Sequence, residues 1–281
     1  EKYKTASYPN TWLWRQLPNF DLNQKIINKP LNKVSGSILE VGSAAGGAYN
    51  FLSNSNILSE NIDYTGVDIS NTGTNFCKEN YPKAKWIQSD ISMNKIDKEY
   101  DYIFERISVH HMQNPLEILE NLKNQTKKSL ATSFVSCVNG STISDLDVAR
   151  YRHSSGEFVY FNIINIFEVF EIFFSKFNLI HFYYGGPHEK TFSDPMAHQY
   201  LSPDININER RIGRCSIIAS KIDNLEQKKV VFLNTTNILK KTIKNLLGSF
   251  MNKYRDDFSI IMRRTNNFLR RDKNTTDYNW D

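Results

Sequence analysis

The stretch Ser37–Ala48, Ser-Ile-Leu-Glu-Val-Gly-Ser-Ala-Ala-Gly-Gly-Ala, constrains this chain more than any other. Ile38–Val41 is apolar apart from Glu40 and runs straight into Gly42, Gly46 and Gly47, after which a helical pattern begins. That order predicts a buried strand, a bare turn and a helix N-terminus. Glycines in such a turn let the backbone come close to a ligand, and the unpaired N–H groups of a helix start favour a negative or electron-rich group. The G-x-x-x-G-G spacing differs from the dinucleotide fingerprint G-x-G-x-x-G. No Gly-Lys-Ser/Thr follows, so a phosphate-binding loop is excluded as well.

Three further segments follow in order. Tyr64-Thr65-Gly66-Val67-Asp68 is a short apolar strand ending in an acid, and Trp86-Ile87-Gln88-Ser89-Asp90-Ile91 is another. Tyr100-Asp101-Tyr102-Ile103-Phe104-Glu105 is followed by Ile107-Ser108-Val109-His110-His111-Met112. With Glu40-Val41-Gly42-Ser43-Ala44-Ala45-Gly46, these segments resemble the four ordered motifs of the class I S-adenosylmethionine (SAM)-dependent methyltransferases. The resemblance implies SAM as cofactor, S-adenosylhomocysteine as its product, and a site formed by Glu40, Gly42, Ser43, Gly46, Asp68, Ile69, Asp90, Ile91 and Glu105. In that reading Asp68 accepts both ribose hydroxyls, Asp90 meets the adenine amino group and Ile91 flanks the ring.

The pattern around these motifs predicts an α/β fold. Strands are expected at Ser37–Val41, Asp63–Asp68, Lys85–Gln88, Tyr100–Glu105, Ser129–Val135, Leu179–Tyr184 and Cys215–Lys221, and helices at Ala48–Ser53, Thr72–Asn80, Pro115–Lys123 and Ile163–Phe174. Such alternation implies a seven-stranded, mostly parallel sheet with helices on both faces, a Rossmann-like methyltransferase fold over residues 37–222. The apolar Ile163–Phe174 helix is expected to be buried or interfacial. Residues 1–36 form a leader whose Tyr8 and Trp14 either fold over the cofactor or pack on the sheet edge. Two insertions, 139–161 and 185–213, exceed ordinary connections and are assigned the acceptor pocket. They carry Asp145, Asp147, Arg152, His153 and Tyr160, and His188, Glu189, His198 and Tyr200. Residues 227–281 form a basic helical extension in which Leu239, Ile243, Leu246, Leu247, Phe250, Met251 and Tyr254 recur at amphipathic spacing among lysines. Such a stripe suits peripheral contact with a membrane, a homodimer, or docking on the chain's own domain.

Charge is unevenly spread beneath a net +5. Up to Glu226 there are 23 Lys and Arg against 25 Asp and Glu, giving −2; from Gln227 onward there are 12 against 5, giving +7. A near-neutral catalytic part argues against a nucleic-acid partner, which would want the positive field at the active site. Three cysteines without metal-ligand spacing point to reduced thiols and a cytoplasmic protein, peripheral to the inner membrane if the tail binds lipid. No apolar run is long enough to span a bilayer, and no secretory signal is evident. A start at Glu1 rather than Met suggests an upstream segment or tag.

Methyl transfer from a sulfonium is an in-line displacement, for which the protein supplies alignment and, for a hydroxyl acceptor, a base. Histidine is the natural base near neutral pH, and His110, His111 and His188 are the candidates. Asp145, Asp147 and His153 could bind Mg2+, but Ser-Asp-Leu-Asp is equally a helix cap, and no metal site is assigned. Glu105-Arg106-Ile107-Ser108 stands where enzymes methylating base amines carry Asn/Asp-Pro-Pro-Tyr/Phe. The expected activity is therefore O-methylation of a small-molecule or saccharide hydroxyl. Polar and aromatic loops, a basic tail and an Asn-, Ile- and Lys-rich composition suggest a sugar of a bacterial surface glycan, hence polysaccharide biosynthesis. The alternatives are a non-catalytic SAM-binding or interaction protein of the same fold, and an RNA methyltransferase.

Overall fold

A computed structural model of the chain describes residues 34–54, 58–105, 108–137, 140–152, 156–184, 213–223, 225, 228–233 and 258–263. Its frame is β1 (Ser37–Val41), β2 (Asp63–Asp68), β3 (Lys85–Gln88), β4 (Tyr100–Glu105) and β5 (Thr126–Cys137). These strands pair in parallel in the order β3-β2-β1-β4-β5. Parallel neighbours require crossovers. They are supplied by α1 (Gly47–Asn54), α2 (Asn71–Asn80) and α3 (Pro115–Gln125). After β5 come a hairpin of β6 (Arg150–Arg152) and β7 (Phe158–Tyr160), then β8 (Ile164–Asn165), α4 (Ile166–Phe174), β9 (Leu179–Tyr184) and β10 (Gly213–Ser220).

Burial explains why these segments take these places. Side chains alternate across a strand, so each strand feeds both faces of the sheet. Leu39, Val41, Ile103 and Leu130 pack with Leu119 and Leu122 of α3 and Val169, Phe170 and Phe173 of α4. Ile38, Tyr64, Phe104 and Ala131 pack on the other face with Tyr49 and Leu52 of α1, Cys77 of α2 and Trp86 of β3. Each such side chain contributes about 1.5–3 kcal/mol when fully buried. The expected Rossmann-like arrangement is present, with β10 antiparallel to both β5 and β9.

Three details differ from expectation. Among the described residues the sheet has ten strands, because β8 pairs with β5 and two strands join beyond β9. These are β11 (Lys228–Leu233), parallel to β9, and β12 (Phe258–Arg263), parallel to β11. The extension expected to be helical thus contributes strands at both of its described parts, and Val230 and Val231 are buried. Lys228-Lys229 beside the short run Val230–Leu233 hides the strand, since neither an alternating nor a long apolar pattern results. The amphipathic stretch 239–254, with its membrane and homodimer readings, lies outside the described residues, as do residues 1–33 of the leader and all of 185–212. Among the described residues, no helix is long and apolar enough to cross a membrane. Finally, α4 begins at Ile166 rather than Ile163, because Asn165 caps it by accepting from the Phe167 and Glu168 amides.

Candidate active site

The glycine turn is held mostly by its own chain. Gly42 and Gly46 both have φ of 71°, a conformation open to glycine at little cost. A Cβ on Gly42 would fall 2.5 Å from Ser108 Oγ, and one on Gly46 would fall 2.9 Å from the Tyr81 ring. Both glycines therefore admit close packing of their own neighbours, in addition to any ligand. The amides are also spent internally: Gly42 and Ser43 donate to the Val67 carbonyl, Gly46 to the Ser43 carbonyl, and Ala44 to Asp68. These four turn amides are paired within the chain, one of them to a carboxylate.

Asp68 ends β2 with Oδ2 accepting the Ala44 amide at 2.7 Å and Oδ1 accepting the Ser70 amide at 2.8 Å. Each oxygen retains a lone pair, so the carboxylate can still accept two hydroxyls. Ile69 beside it is 68% exposed. The Ser89 amide bonds the Asp68 carbonyl and brings the end of β3 alongside. There Asp90 uses Oδ1 on the Ser92 amide and hydroxyl, while Ile91 is half-buried against the core. Glu40 is buried and accepts the Tyr64 hydroxyl at 2.6 Å. Its place is beneath the turn.

Glu105 requires correction as a cofactor contact. It is fully buried, with Oε1 accepting the Ser108 amide and hydroxyl and the Val109 amide, and Oε2 accepting the Thr132 hydroxyl at 2.5 Å. Burial pushes its carboxyl up despite these four hydrogen bonds, which pull it down. Glu105 is the buried anchor of the turn that carries the histidines.

That turn, Val109–His111, gives the two histidines different burial although their ring centroids lie 3.9 Å apart. His110 is 1% exposed and lies edge-on to the Phe161 ring at 5.4 Å, so it is not placed to receive a proton from an acceptor, contrary to expectation. His111 stays exposed, and its Nδ1 lies 2.8 Å from the Tyr160 carbonyl. A carbonyl can only accept, so Nδ1 carries the proton and Nε2 is the basic nitrogen. Desolvation lowers the His111 pKa, and the bond to Tyr160 partly offsets this. His188 lies outside the described residues.

The partner of this turn was not legible in the sequence. Asn162, fully buried, donates its amide to the His110 carbonyl at 2.7 Å and its side chain to the Met112 carbonyl at 2.6 Å. Asn162 directly follows the 139–161 insertion expected to face the acceptor, and Tyr160 within that insertion holds His111. In the same insertion Asp145 accepts the Asp147 amide at 2.9 Å, and His153 lies outside the described residues. Among the described residues no cluster of three His, Cys, Asp or Glu side chains could hold a metal ion. Cys77, Cys137 and Cys215 are buried free thiols.

Residues 39–129, spanning β1 to the start of β5, match the family model of the methyltransferase domain. The match covers about a third of the chain. No curated protein matches the chain. Among solved structures, a Haemonchus contortus phosphoethanolamine N-methyltransferase 2 in complex with SAM is 15% identical, with 68% of this chain and 49% of that one covered and a TM-score of 0.46. Magnesium protoporphyrin IX methyltransferase from Synechocystis, with bound SAM, is 12% identical, with 67% and 71% covered and a TM-score of 0.41. The cyclase SpnF is 15% identical, with 67% and 76% covered and a TM-score of 0.44. The matched residues include Asp68, Asp90 and the histidine turn, while the segment that clamps the turn lies beyond them.

Proposed function

We propose that the chain is a SAM-dependent O-methyltransferase that uses His111 as general base on a hydroxyl of a small molecule or saccharide. The observation that carries this reading is the His111 ring, exposed, fixed in one tautomer by the Tyr160 carbonyl, and on the turn that packs Ser108 against Gly42. The residues at the strand ends suit the cofactor. The remaining lone pairs of Asp68 match the two ribose hydroxyls, Asp90 Oδ2 is left for the adenine amino group, and Ile69 and Ile91 offer apolar faces to the ring. Ser43 and the Gly42–Gly46 turn border the methionine end. When bound, SAM supplies an electrophilic methyl on a sulfonium that departs as a neutral thioether. His111 Nε2 takes the hydroxyl proton as the oxygen forms its bond to the methyl carbon. Nδ1, held by Tyr160, keeps the imidazolium aligned.

Isothermal titration with S-adenosylhomocysteine tests the cofactor site: binding that disappears in Asp68→Ala supports it, and no binding by the native chain overturns it. Transfer of labelled methyl to hydroxyl acceptors tests the chemistry. His111→Ala should abolish transfer while S-adenosylhomocysteine still binds. A variant that transfers at the native rate removes His111 from the mechanism. Binding of S-adenosylhomocysteine without transfer to any sugar, sugar nucleotide, lipid or RNA would favour a non-catalytic binding protein of the same fold.

A further inference from the structure

The β6–β7 hairpin has a cation that no described acid neutralises. The register pairs Arg150 with Tyr160, Tyr151 with Val159 and Arg152 with Phe158. Directly paired residues share a face and strand side chains alternate, so Arg150, Phe158 and Tyr160 occupy one side of the ribbon and Val159 the other. The Arg150 guanidinium stands 4.1 Å from the centre of the Phe158 ring, the diagonal neighbour on that side. Phe158 is nearly half exposed, an apolar ring kept at the surface with a cation stacked on it. Acids lie close in sequence at Asp145, Asp147 and Glu157, yet among the described residues no ion pair engages Arg150. The base of the hairpin is fixed: the Phe161 amide bonds the Ala149 carbonyl, and buried Ala149 and Ile163 pack with Val135 and Cys137.

Position gives this pair a purpose. Arg150 is one cross-strand pair from Tyr160, whose carbonyl holds His111. A guanidinium already oriented by an aromatic face presents its planar fork at reduced entropic cost, and that fork matches a carboxylate or a phosphate. An exposed ring beside it suits the apolar face of a sugar. The part of the chain up to Glu226 is slightly acidic overall, so the cation acts locally, as a single anionic group requires and a polyanion does not.

We infer that the acceptor is an anionic saccharide, bearing a carboxylate or a phosphate, which Arg150 and Phe158 hold while His111 receives the proton of its hydroxyl. This rests on the methyl-transfer reading above and names the acceptor class for that same site. The test is labelled methyl transfer to matched acceptors: methyl glucoside against glucuronate, and glucose against glucose 1-phosphate and UDP-glucose. A charged member should be preferred in kcat/KM by about ten- to a hundredfold, the range of one charge-assisted hydrogen-bonded contact. Whether the carboxylate or the phosphate arm responds identifies the anion. Arg150→Ala should raise KM for that acceptor far more than it lowers kcat, and Arg150→Lys should recover part of the loss. Retained S-adenosylhomocysteine binding and an unchanged circular dichroism spectrum establish that the variants fold. Equal use of neutral and charged members, or indifference of the charged one to Arg150→Ala, overturns the inference and leaves methyl transfer standing. Failure of every member while S-adenosylhomocysteine binds overturns it together with the saccharide reading, and failure to bind S-adenosylhomocysteine removes the methyl-transfer reading itself.

Discussion

Asp68 accepts the Ala44 amide at 2.7 Å, so the carboxylate at the end of β2 also ties down the turn that follows β1. Ala44 itself has φ of 46°, a left-handed conformation that a residue with a Cβ adopts at a cost of about 1–2 kcal/mol. The bond to Asp68 offsets part of that cost.

Asp68→Ala is therefore expected to do two things at once. It should remove both ribose acceptors and, by freeing the Ala44 and Ser70 amides, lower stability by about 1–3 kcal/mol. Ala44→Gly relieves the strain without touching the carboxylate. Urea denaturation of both single variants and the double variant, with S-adenosylhomocysteine titrations, separates the two roles: Ala44→Gly should restore stability to Asp68→Ala and leave its binding defect.

Gly42→Ala places a methyl group at a distance from Ser108 that real atoms do not tolerate, in a left-handed conformation. Strain and collision together should cost about 2 kcal/mol or more. Adding Ser108→Gly should recover the collision part and not the conformational part, which thermal melts of the double variant resolve.

His111 governs the acid limb of the pH profile. Its pKa is lowered, so the neutral, basic form persists below the ordinary histidine value of about 6.5. kcat/KM should hold level through neutrality and fall only at more acidic pH. Protonation also opposes folding, since the folded ring binds its proton less tightly than the unfolded one; stability should decline as pH drops below about 6.5. His111→Asn should lose about 10²–10⁴-fold in transfer and flatten this limb.

Glu105 predicts the opposite sign. Burial raises its carboxyl, so the folded state binds that proton more tightly than the unfolded chain, whose glutamate titrates near 4.3. Its contribution is favourable below that value and fades as pH rises through the folded pKa. Glu105→Gln should remove this slope: its carbonyl takes the Ser108 and Val109 amides, and its amide reaches the Thr132 hydroxyl, which turns to accept. Glu105→Ala leaves three buried donors without an acceptor and should cost about 3 kcal/mol or more. Guanidinium titrations between pH 4 and 8 distinguish the two variants.

The strand–turn–helix order of β1 to β4 was legible because it rests on local apolar runs and glycines. The positions of Asp68, Ile69 and Asp90, at or just past the ends of β2 and β3, were legible for the same reason. What escaped depends on contacts far apart in sequence. Nothing in His110-His111 shows which ring is buried; that is decided by Phe161 and Asn162, some fifty residues later. The acid of Glu105 reads like the acids ending β2 and β3 until Thr132 and Val109 are seen around it. A five-residue gap between Arg150–Arg152 and Phe158–Tyr160 hid a hairpin inside an apparent loop, and β11 was hidden by the lysines at its start.

Asn162 binds the chain on both sides of His111, through its backbone to His110 and through its side chain to Met112. The segment assigned to acceptor choice and the turn that carries the base are thus mechanically one part. A chimera that exchanges the hairpin for another acceptor arm has a natural cut after Tyr160, with Phe161 and Asn162 kept by the recipient. Moved one step further, the cut would transplant specificity and discard the clamp that orients the base.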